Sequence, residues 1–416
     1  MDRGIVIVGG GQAGLQCALS LREESYDGRL TLVGAEASVP YQRPPLSKAF
    51  LIGAVDATGL ELRPRAFLEE RGITLVQGAE AAAIDREAQI LELADGRRLA
   101  YDHLVLATGA RNRKLAVPGA EPDRIAYLRS IEDARALQAR LADAEAIVVI
   151  GAGFIGLEFA AVAAKLGRRV QVVEAAARPM ARAVSQACSD YVLRRHEGWG
   201  TSFSFGATVA AIEHQGARVT GVRLGDGRTI PADLVVAGIG VLPNAELAAA
   251  AGLAVDNGIL VDAHLVTSDP AISAIGDCAV HPNDFSGGLT RLESVQNASD
   301  QGRAVAARLA GRPARYEAVP WFWSDQGDVK LQMAGLTAGH DHVVVQGVVE
   351  EGRFSAFCFK GERFLGVESI NRPADNMLAR RVLAASRALR LADFEACGFD
   401  LKALAGASPR EGRARS

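Results

Sequence analysis

The sequence predicts an α/β chain made of two parallel-sheet units, followed by a separate α+β domain toward the C-terminal end. Three observations carry that reading. An apolar run at 4–8 leads into the glycine turn Gly9-Gly10-Gly11 and then a helical pattern over 12–23. The same grammar returns at 146–150, with the turn Gly151-Ala152-Gly153 and a helical pattern over 156–165. Past Trp321 the pattern changes to short alternating strands joined by polar turns. Apolar strands alternating with helices argue for a parallel sheet, and the later strands argue for an antiparallel one.

Taken in order, the first unit has strands at 4–8 and 30–33 around its helix, with a further strand at 101–108. An amphipathic helix at 131–143 leads into the second unit, whose strands are 146–150 and 170–173. Strands at 220–223 and 229–236 form a hairpin around Asp226-Gly227. The segment 293–297 opens a helix at 298–309. The C-terminal strands are 329–334, 343–350, 355–360 and 364–370, followed by a helix at 374–385.

At 416 residues the chain exceeds one ordinary core, since domains run to roughly 100–200 residues. Three domains are expected: 1–115 with 245–325, then 116–244, then 326–407. Residues 408–416 are small, polar and basic, and read as a disordered tail. The net charge of −3 argues against a general nucleic-acid binder. The apolar stretches at 5–21 and 146–164 are broken by glycines and, in the second, by Glu158. Neither reads as a signal peptide or a membrane span. The five cysteines are widely spaced without a CxxC pair, which predicts no disulfide framework, no zinc site and a reducing cytoplasm. The seven histidines lie outside metal-type clusters, so no metal is expected.

The two glycine turns are complete dinucleotide-binding fingerprints. In Gly9-x-Gly11-x-x-Gly14, the first glycine allows the tight turn and the second lets backbone approach a pyrophosphate. The third permits close helix–strand packing. The helix N-terminus offers unpaired N–H donors, and Glu36 stands at the end of the next strand to accept from ribose hydroxyls. Gly151-x-Gly153-x-x-Gly156 repeats this with Glu174 as the acid. A carboxylate there accepts from a free 2′-hydroxyl and repels a 2′-phosphate, so NADH is expected over NADPH. Arg178, close by, points the other way. Two fingerprints mean two dinucleotides and a pair of Rossmann-like domains.

Glu158 lies in the apolar run at 154–164. It is either an acid favoured by the helix N-terminus or half of a charged pair.

The chain also has Ala107-Thr108-Gly109, Gly276-Asp277 and Gly238-Ile239-Gly240-Val241-Leu242-Pro243-Asn244. It has Pro40-Tyr41-Gln42-Arg43-Pro44-Pro45-Leu46-Ser47-Lys48 and Pro320-Trp321-Phe322-Trp323-Ser324-Asp325-Gln326 as well. Over nearly its full length it resembles the glutathione-reductase-like flavoprotein reductases, and the last two segments resemble their ferredoxin reductase branch.

The resemblance implies non-covalent FAD in the first unit and NADH in the second. It places FAD against Gly9, Gly11, Gln12, Ala13, Gly14, Ala35, Glu36, Arg43, Lys48 and Ala81. Further FAD positions are Ala107, Thr108, Gly109, Arg129, Asp277, Val295 and Trp323. Among these, Asp277 is expected on the ribityl chain and Arg129 on the pyrophosphate. Thr108 and Gly109 mark the exit toward the second unit. The helix opening near Val295 aims its N–H groups at the pyrimidine end of the ring, with Trp323 nearby. NADH is placed against Gly151, Gly153, Phe154, Ile155, Gly156, Glu158, Glu174 and Gly240. Lys48 and Glu158 are expected to pair between the two rings and act catalytically.

The implied function is hydride transfer from NADH to FAD, then single electrons to a 2Fe–2S ferredoxin serving a cytochrome P450 or a ring-hydroxylating oxygenase. Rubredoxin or monodehydroascorbate as acceptor, or an NADH-sensing role like that of apoptosis-inducing factor, stand as alternatives. The loop at 40–48 has no cysteine, so disulfide chemistry is not expected. The ferredoxin is expected to dock on Arg303, Arg308, Arg312, Arg380 and Arg381, where the FAD-binding and C-terminal domains meet. Neither nucleic acid nor membrane is expected as a partner.

Overall fold

Ile5–Val8 is apolar at every position, so it has no polar face to turn to water and belongs in the middle of a sheet. In the computed structural model, which describes residues 3–385 and 388–406, it lies between Leu30–Val33 and His103–Leu106, parallel to both. The sheet runs Ile272–Ala274, His103–Leu106, Ile5–Val8, Leu30–Val33, Ile73–Val76. The expected tail at 408–416 lies outside the described residues.

The chain divides into two units. The first takes residues 1–45, 53–113 and 241–318, and the second takes 46–52, 114–240 and 319–416. In the first, helix Gln12–Glu23 packs against helix Val295–Leu309. Gly302 lets them approach: a Cβ there falls 2.9 Å from the Ala13 carbonyl and the Cys17 nitrogen. The antiparallel pair Ala110–Asn112 with Val241–Pro243 joins the outgoing and returning chain.

The second unit holds a parallel sheet in the order Thr201–Phe205, Arg169–Glu174, Ala146–Ile150, Leu234–Ala237, Ile125–Ala126. It also holds an antiparallel sheet in the order Trp321–Gln326, Val329–Gly335, Arg363–Ile370, Arg353–Lys360, His342–Val348. Helix Pro373–Ala385 packs on that sheet.

Several expectations change. The strand expected at 229–236 is two strands in two sheets. Thr229–Pro231 pairs with Arg218–Leu224, and Leu234–Ala237 lies beside Ala146–Ile150. Pro231 has no N–H to continue a ladder. Asp233 then turns its carboxylate onto the Glu145 and Ala146 N–H groups. The helix expected at 156–165 starts at Phe154 because Gly153 is its N-cap. That expected at 298–309 starts at Val295, where the N-cap Ser294 hydroxyl accepts from the Asn297 N–H at 3.0 Å. Trp321–Gln326 pairs along its whole length with Val329–Gly335, so the C-terminal sheet has a further strand ahead of the one expected at 329–334.

Candidate active site

The first fingerprint is crowded where its glycines must be glycine and bare where a ligand must enter. Gly9 has φ 123°, and a Cβ there falls 2.0 Å from the Ala107 carbonyl. At Gly14 a Cβ falls 2.0 Å from the Gly9 carbonyl. A Cβ on Gly11 would meet nothing within 4 Å, and no side chain caps the helix that it opens. The first-turn N–H groups therefore remain for an anion. Glu36 takes Arg43 on Oε1 at 2.5 Å and the Tyr41 hydroxyl on Oε2 at 2.5 Å. An ionised carboxylate has about four acceptor sites, so room is left for ribose hydroxyls. The cradle fits a dinucleotide.

Around it, Gln12 donates to the Ser299 hydroxyl at 3.0 Å, and Gly276 donates its N–H to buried Gln301 at 2.7 Å, which sets the Gly276-Asp277 turn beside Ala13. Thr108 donates to the Asn244 carbonyl at 2.6 Å and Asn244 returns a bond to Thr108, which ties Thr108-Gly109 to the returning chain. Ala35 follows Leu30–Val33, Ala107 follows His103–Leu106, Ala81 opens Ala81–Asp85, and Val295 opens the partner helix. Ligands of open α/β sheets bind at such carboxyl ends of strands. Lys48, Arg129 and Trp323 belong to the second unit.

The second fingerprint repeats the pattern. A Cβ on Gly151, at φ 98°, falls 2.5 Å from the Gly238 carbonyl, and one on Gly156 falls 2.3 Å from the Gly151 carbonyl. Gly153 meets only the Gly238 carbonyl, at 4.0 Å, and again no side chain caps the helix. Glu174 accepts from the Ala152 N–H at 2.7 Å and the Ala176 N–H at 2.8 Å, leaving lone pairs for a ribose. Arg178 donates to the carbonyls of Ala181 and Val184 at 3.1 and 2.9 Å. That uses Nη2 within its own loop, while Nη1 is buried without a hydrogen-bond partner. Ile155 is exposed, the Phe154 ring meets Phe322 at 4.6 Å, and Gly240 has φ 97°.

The second helix differs from the first in carrying a buried charge. Glu158 is 6% exposed and pairs with Lys48 at 2.7 Å. The Ser47 hydroxyl donates to Oε2 at 2.5 Å and the Ser324 hydroxyl to Oε1 at 2.8 Å. A carboxylate this buried persists only when paired and hydrogen-bonded, and both conditions are met. Of the two sequence readings, the paired one holds in the structure.

Tyr41, Ser47 and Ser324 were not singled out by sequence. Two of them precede the lysine in the loop at 40–48, but a lone hydroxyl carries no periodic signal of its own.

The four buried thiols are unsuited to exchange chemistry. Burial pushes the Cys17 thiol up to about 12 and raises those of Cys188, Cys278 and Cys358. Exchange requires the thiolate. Among the described residues no group of His, Cys, Asp and Glu is placed to hold a metal ion, and no helix is long and apolar enough to cross a membrane.

Residues 3–302 match the family model described as pyridine nucleotide-disulphide oxidoreductase, and residues 321–405 match one described as reductase C-terminal. The chain belongs to the pyridine nucleotide-disulphide oxidoreductase family. It is an FAD-dependent oxidoreductase that draws its electrons from a nicotinamide dinucleotide. Within that family it is 53% identical to rhodocoxin reductase of Rhodococcus erythropolis, over 96% of this chain and 93% of that protein. It is similar to the ferredoxin reductase for the CYP199A2 system of Rhodopseudomonas palustris at a TM-score of 0.93 and 50% identity, over 97% of this chain and 100% of that one. The covalent putidaredoxin reductase–putidaredoxin complex also matches at a TM-score of 0.93, with 40% identity over 99% of each chain.

Proposed function

We propose that this protein is an NADH:ferredoxin reductase that delivers electrons to a 2Fe–2S ferredoxin serving a cytochrome P450 or a ring-hydroxylating oxygenase. The observation that carries the reading is the Lys48–Glu158 ion pair, buried at the second fingerprint helix of a chain with two dinucleotide cradles. FAD, when bound, supplies the conversion from two-electron hydride chemistry to single-electron delivery. Everything else is done by the protein.

Residues 1–115 and 245–320 hold FAD, 116–244 hold NADH, and 321–407 form the C-terminal domain. Gly9, Gly11 and Gly14 seat the FAD pyrophosphate with Arg129. Glu36 takes the ribose and is itself held by Arg43, and Asp277 takes the ribityl chain. Gln12, Ala13, Ala35, Ala81, Ala107, Thr108, Gly109, Val295 and Trp323 line the rest. On the NADH side, Gly151, Gly153 and Gly156 seat the pyrophosphate and Glu174 takes the ribose. Phe154, Ile155 and Gly240 line the nicotinamide end. The Glu174 carboxylate, which would repel a 2′-phosphate, supports NADH as donor. Lys48 and Glu158 present a donor and an acceptor fixed against each other, suited to orient a carboxamide.

The ferredoxin docks on arginines, with Arg380 and Arg381 leading. Arg380 stacks on Trp321 at 4.3 Å and Arg381 is exposed, whereas Arg303 and Arg312 are ion-paired to Asp300 and Glu24, and Arg308 bonds Ser273. Unpaired thiols suit a reducing cytoplasm.

Purified protein, offered NADH or NADPH and then a 2Fe–2S ferredoxin or a rubredoxin, tests the whole reading. It should be yellow, release its flavin on acid precipitation, prefer NADH and reduce the ferredoxin. Preference for NADPH overturns the donor assignment, and reduction of rubredoxin alone overturns the acceptor.

A further inference from the structure

Strand Trp321–Gln326 alternates, and Phe322, Ser324 and Gln326 share the face turned toward the second fingerprint. Ser324 has no exposed surface, and Gln326 and His196 behind it have 1% and 0%. Polar groups so far from water must satisfy one another. They do so in a fixed order. The Glu158 carboxylate only accepts, so Ser324 donates to it at 2.8 Å. The Ser324 oxygen then accepts from Gln326 Nε2 at 3.2 Å, which turns Gln326 Oε1 toward His196 at 3.0 Å. Burial holds His196 down to about 4, so the ring is neutral, with its proton on the Nε2 that faces Gln326. Its other nitrogen, Nδ1, is left as a buried acceptor without a partner. Every bond in the chain points at Glu158, and bonds aligned in this way strengthen one another.

We infer that Ser324 is a positioning residue for hydride transfer, clamping the Glu158 carboxylate so that it stays aimed at Lys48, with Gln326 and His196 bracing it from behind. The inference rests on the reading of the Lys48–Glu158 pair as part of the reacting site. An ion pair alone leaves a carboxylate free to turn about its last torsion. Here Lys48 and Ser47 both hold Oε2, and Ser324 is what holds Oε1. Removing that hydroxyl frees one oxygen and lets the plane swing.

The test uses holoenzyme carrying Ser324→Ala, Ser324→Thr, Glu158→Gln, and Ser324→Ala combined with Glu158→Gln. Stopped-flow reduction of the flavin separates the limiting rate from NADH affinity, and thermal melting of the same proteins reads the contact without turnover. Ser324→Ala should lower the limiting rate about tenfold, with NADH affinity changed less than about twofold. Ser324→Thr should restore the rate. In the Glu158→Gln background, Ser324→Ala should add nothing to the rate and a smaller loss in melting than it causes in the wild type. An unchanged rate in Ser324→Ala, or the same slowing in both backgrounds, overturns the inference. If Glu158→Gln itself reduces its flavin normally, the pair has no part in hydride transfer, and the melting cycle still shows whether the two side chains are coupled.

Discussion

The molecule contains the same dinucleotide unit twice, and the two copies differ most just after the third glycine of each fingerprint. The first helix reads Gly14-Leu15-Gln16-Cys17 and the second Gly156-Leu157-Glu158-Phe159. Gln16, two positions after its third glycine, is neutral, half-buried and bonded to Ser20 at 3.0 Å. Glu158, at the equivalent position, is charged, buried and held by three donors. The ribose acids differ as well. Glu36 is gripped by the side chains of Arg43 and Tyr41, whereas Glu174 is gripped by backbone N–H groups on either side of it. On the proposed function, the copy that retains a cofactor needs only a cradle, and the copy whose ligand comes, reacts and leaves is the one with the buried charge.

The largest expected effect comes from erasing that difference. Glu158→Gln gives the second helix the residue type of the first, and Lys48→Ala removes the partner. Either should slow flavin reduction by NADH about 100-fold, the cost of losing alignment between reacting groups. FAD content should stay the same. Gln16→Glu, the reciprocal change, should leave the reduction rate alone, and a slowed Gln16→Glu enzyme breaks the comparison.

The ribose acids give the next effect. Glu174→Ala should weaken NADH binding by about 1–3 kcal/mol, as for a charged hydrogen bond, and narrow the preference over NADPH. Glu36→Ala should act on the other copy and shed FAD on gel filtration while NADH discrimination survives. If both variants lose FAD and neither changes donor preference, the two cradles have been assigned wrongly.

The copies also differ in buried histidines. Burial lowers His103 and His281 in the first unit, and His196 in the second, to about 4. Unfolded histidine titrates near 6.5, so between those values the unfolded chain binds the extra proton. Stability is therefore complete above pH 6.5 and falls as pH drops toward 4, by about 1.4 kcal/mol per pH unit for each group. All three tryptophans, Trp199, Trp321 and Trp323, lie in the second unit, so their fluorescence follows its melting while flavin release follows the first. On acidification flavin release should move to lower temperature about twice as steeply as the tryptophan transition. Parallel shifts remove this distinction.

Much of this was legible in sequence because glycine spacing is local. Gly9, Gly11, Gly14 and Glu36 lie within one strand–helix–strand unit, and backbone geometry dictates each. Lys48 with Glu158 was legible as a resemblance, and burial of a charge in an apolar helix supported it. What stayed hidden is long-range. Ser324 meets Glu158 from 166 residues away, and Ser47 from 111. The strand Trp321–Gln326 was missed for a related reason: with Phe322, Ser324 and Gln326 on one face and Trp321, Trp323 and Asp325 on the other, it shows no apolar alternation. Asp233 ended the long strand expected at 229–236 through a carboxylate bond to a distant segment, which no window of sequence contains.

The smallest effect concerns where electrons leave, and it asks which unit offers the free charge. In the first unit Arg303 and Arg312 already face carboxylates, and Arg308 is half-buried against Ser273 and His103. In the second, Arg380 lies over an indole and Arg381 faces solvent. A cation already paired contributes little new attraction to an acidic partner, because exposed pairs are worth about 0–1 kcal/mol and are screened over about 8 Å at 0.15 M salt. Charge reversal at Arg380 or Arg381 should therefore raise the KM for ferredoxin several-fold, by roughly 1 kcal/mol, and flatten its salt dependence. Arg303→Glu should do less, since Arg303 is already paired with Asp300 and offers an acidic partner little new attraction. Flavin reduction by NADH and ferricyanide turnover serve as controls and should not move. If Arg303→Glu impairs ferredoxin reduction while Arg380→Glu and Arg381→Glu do not, docking belongs to the helix that packs on the first cradle.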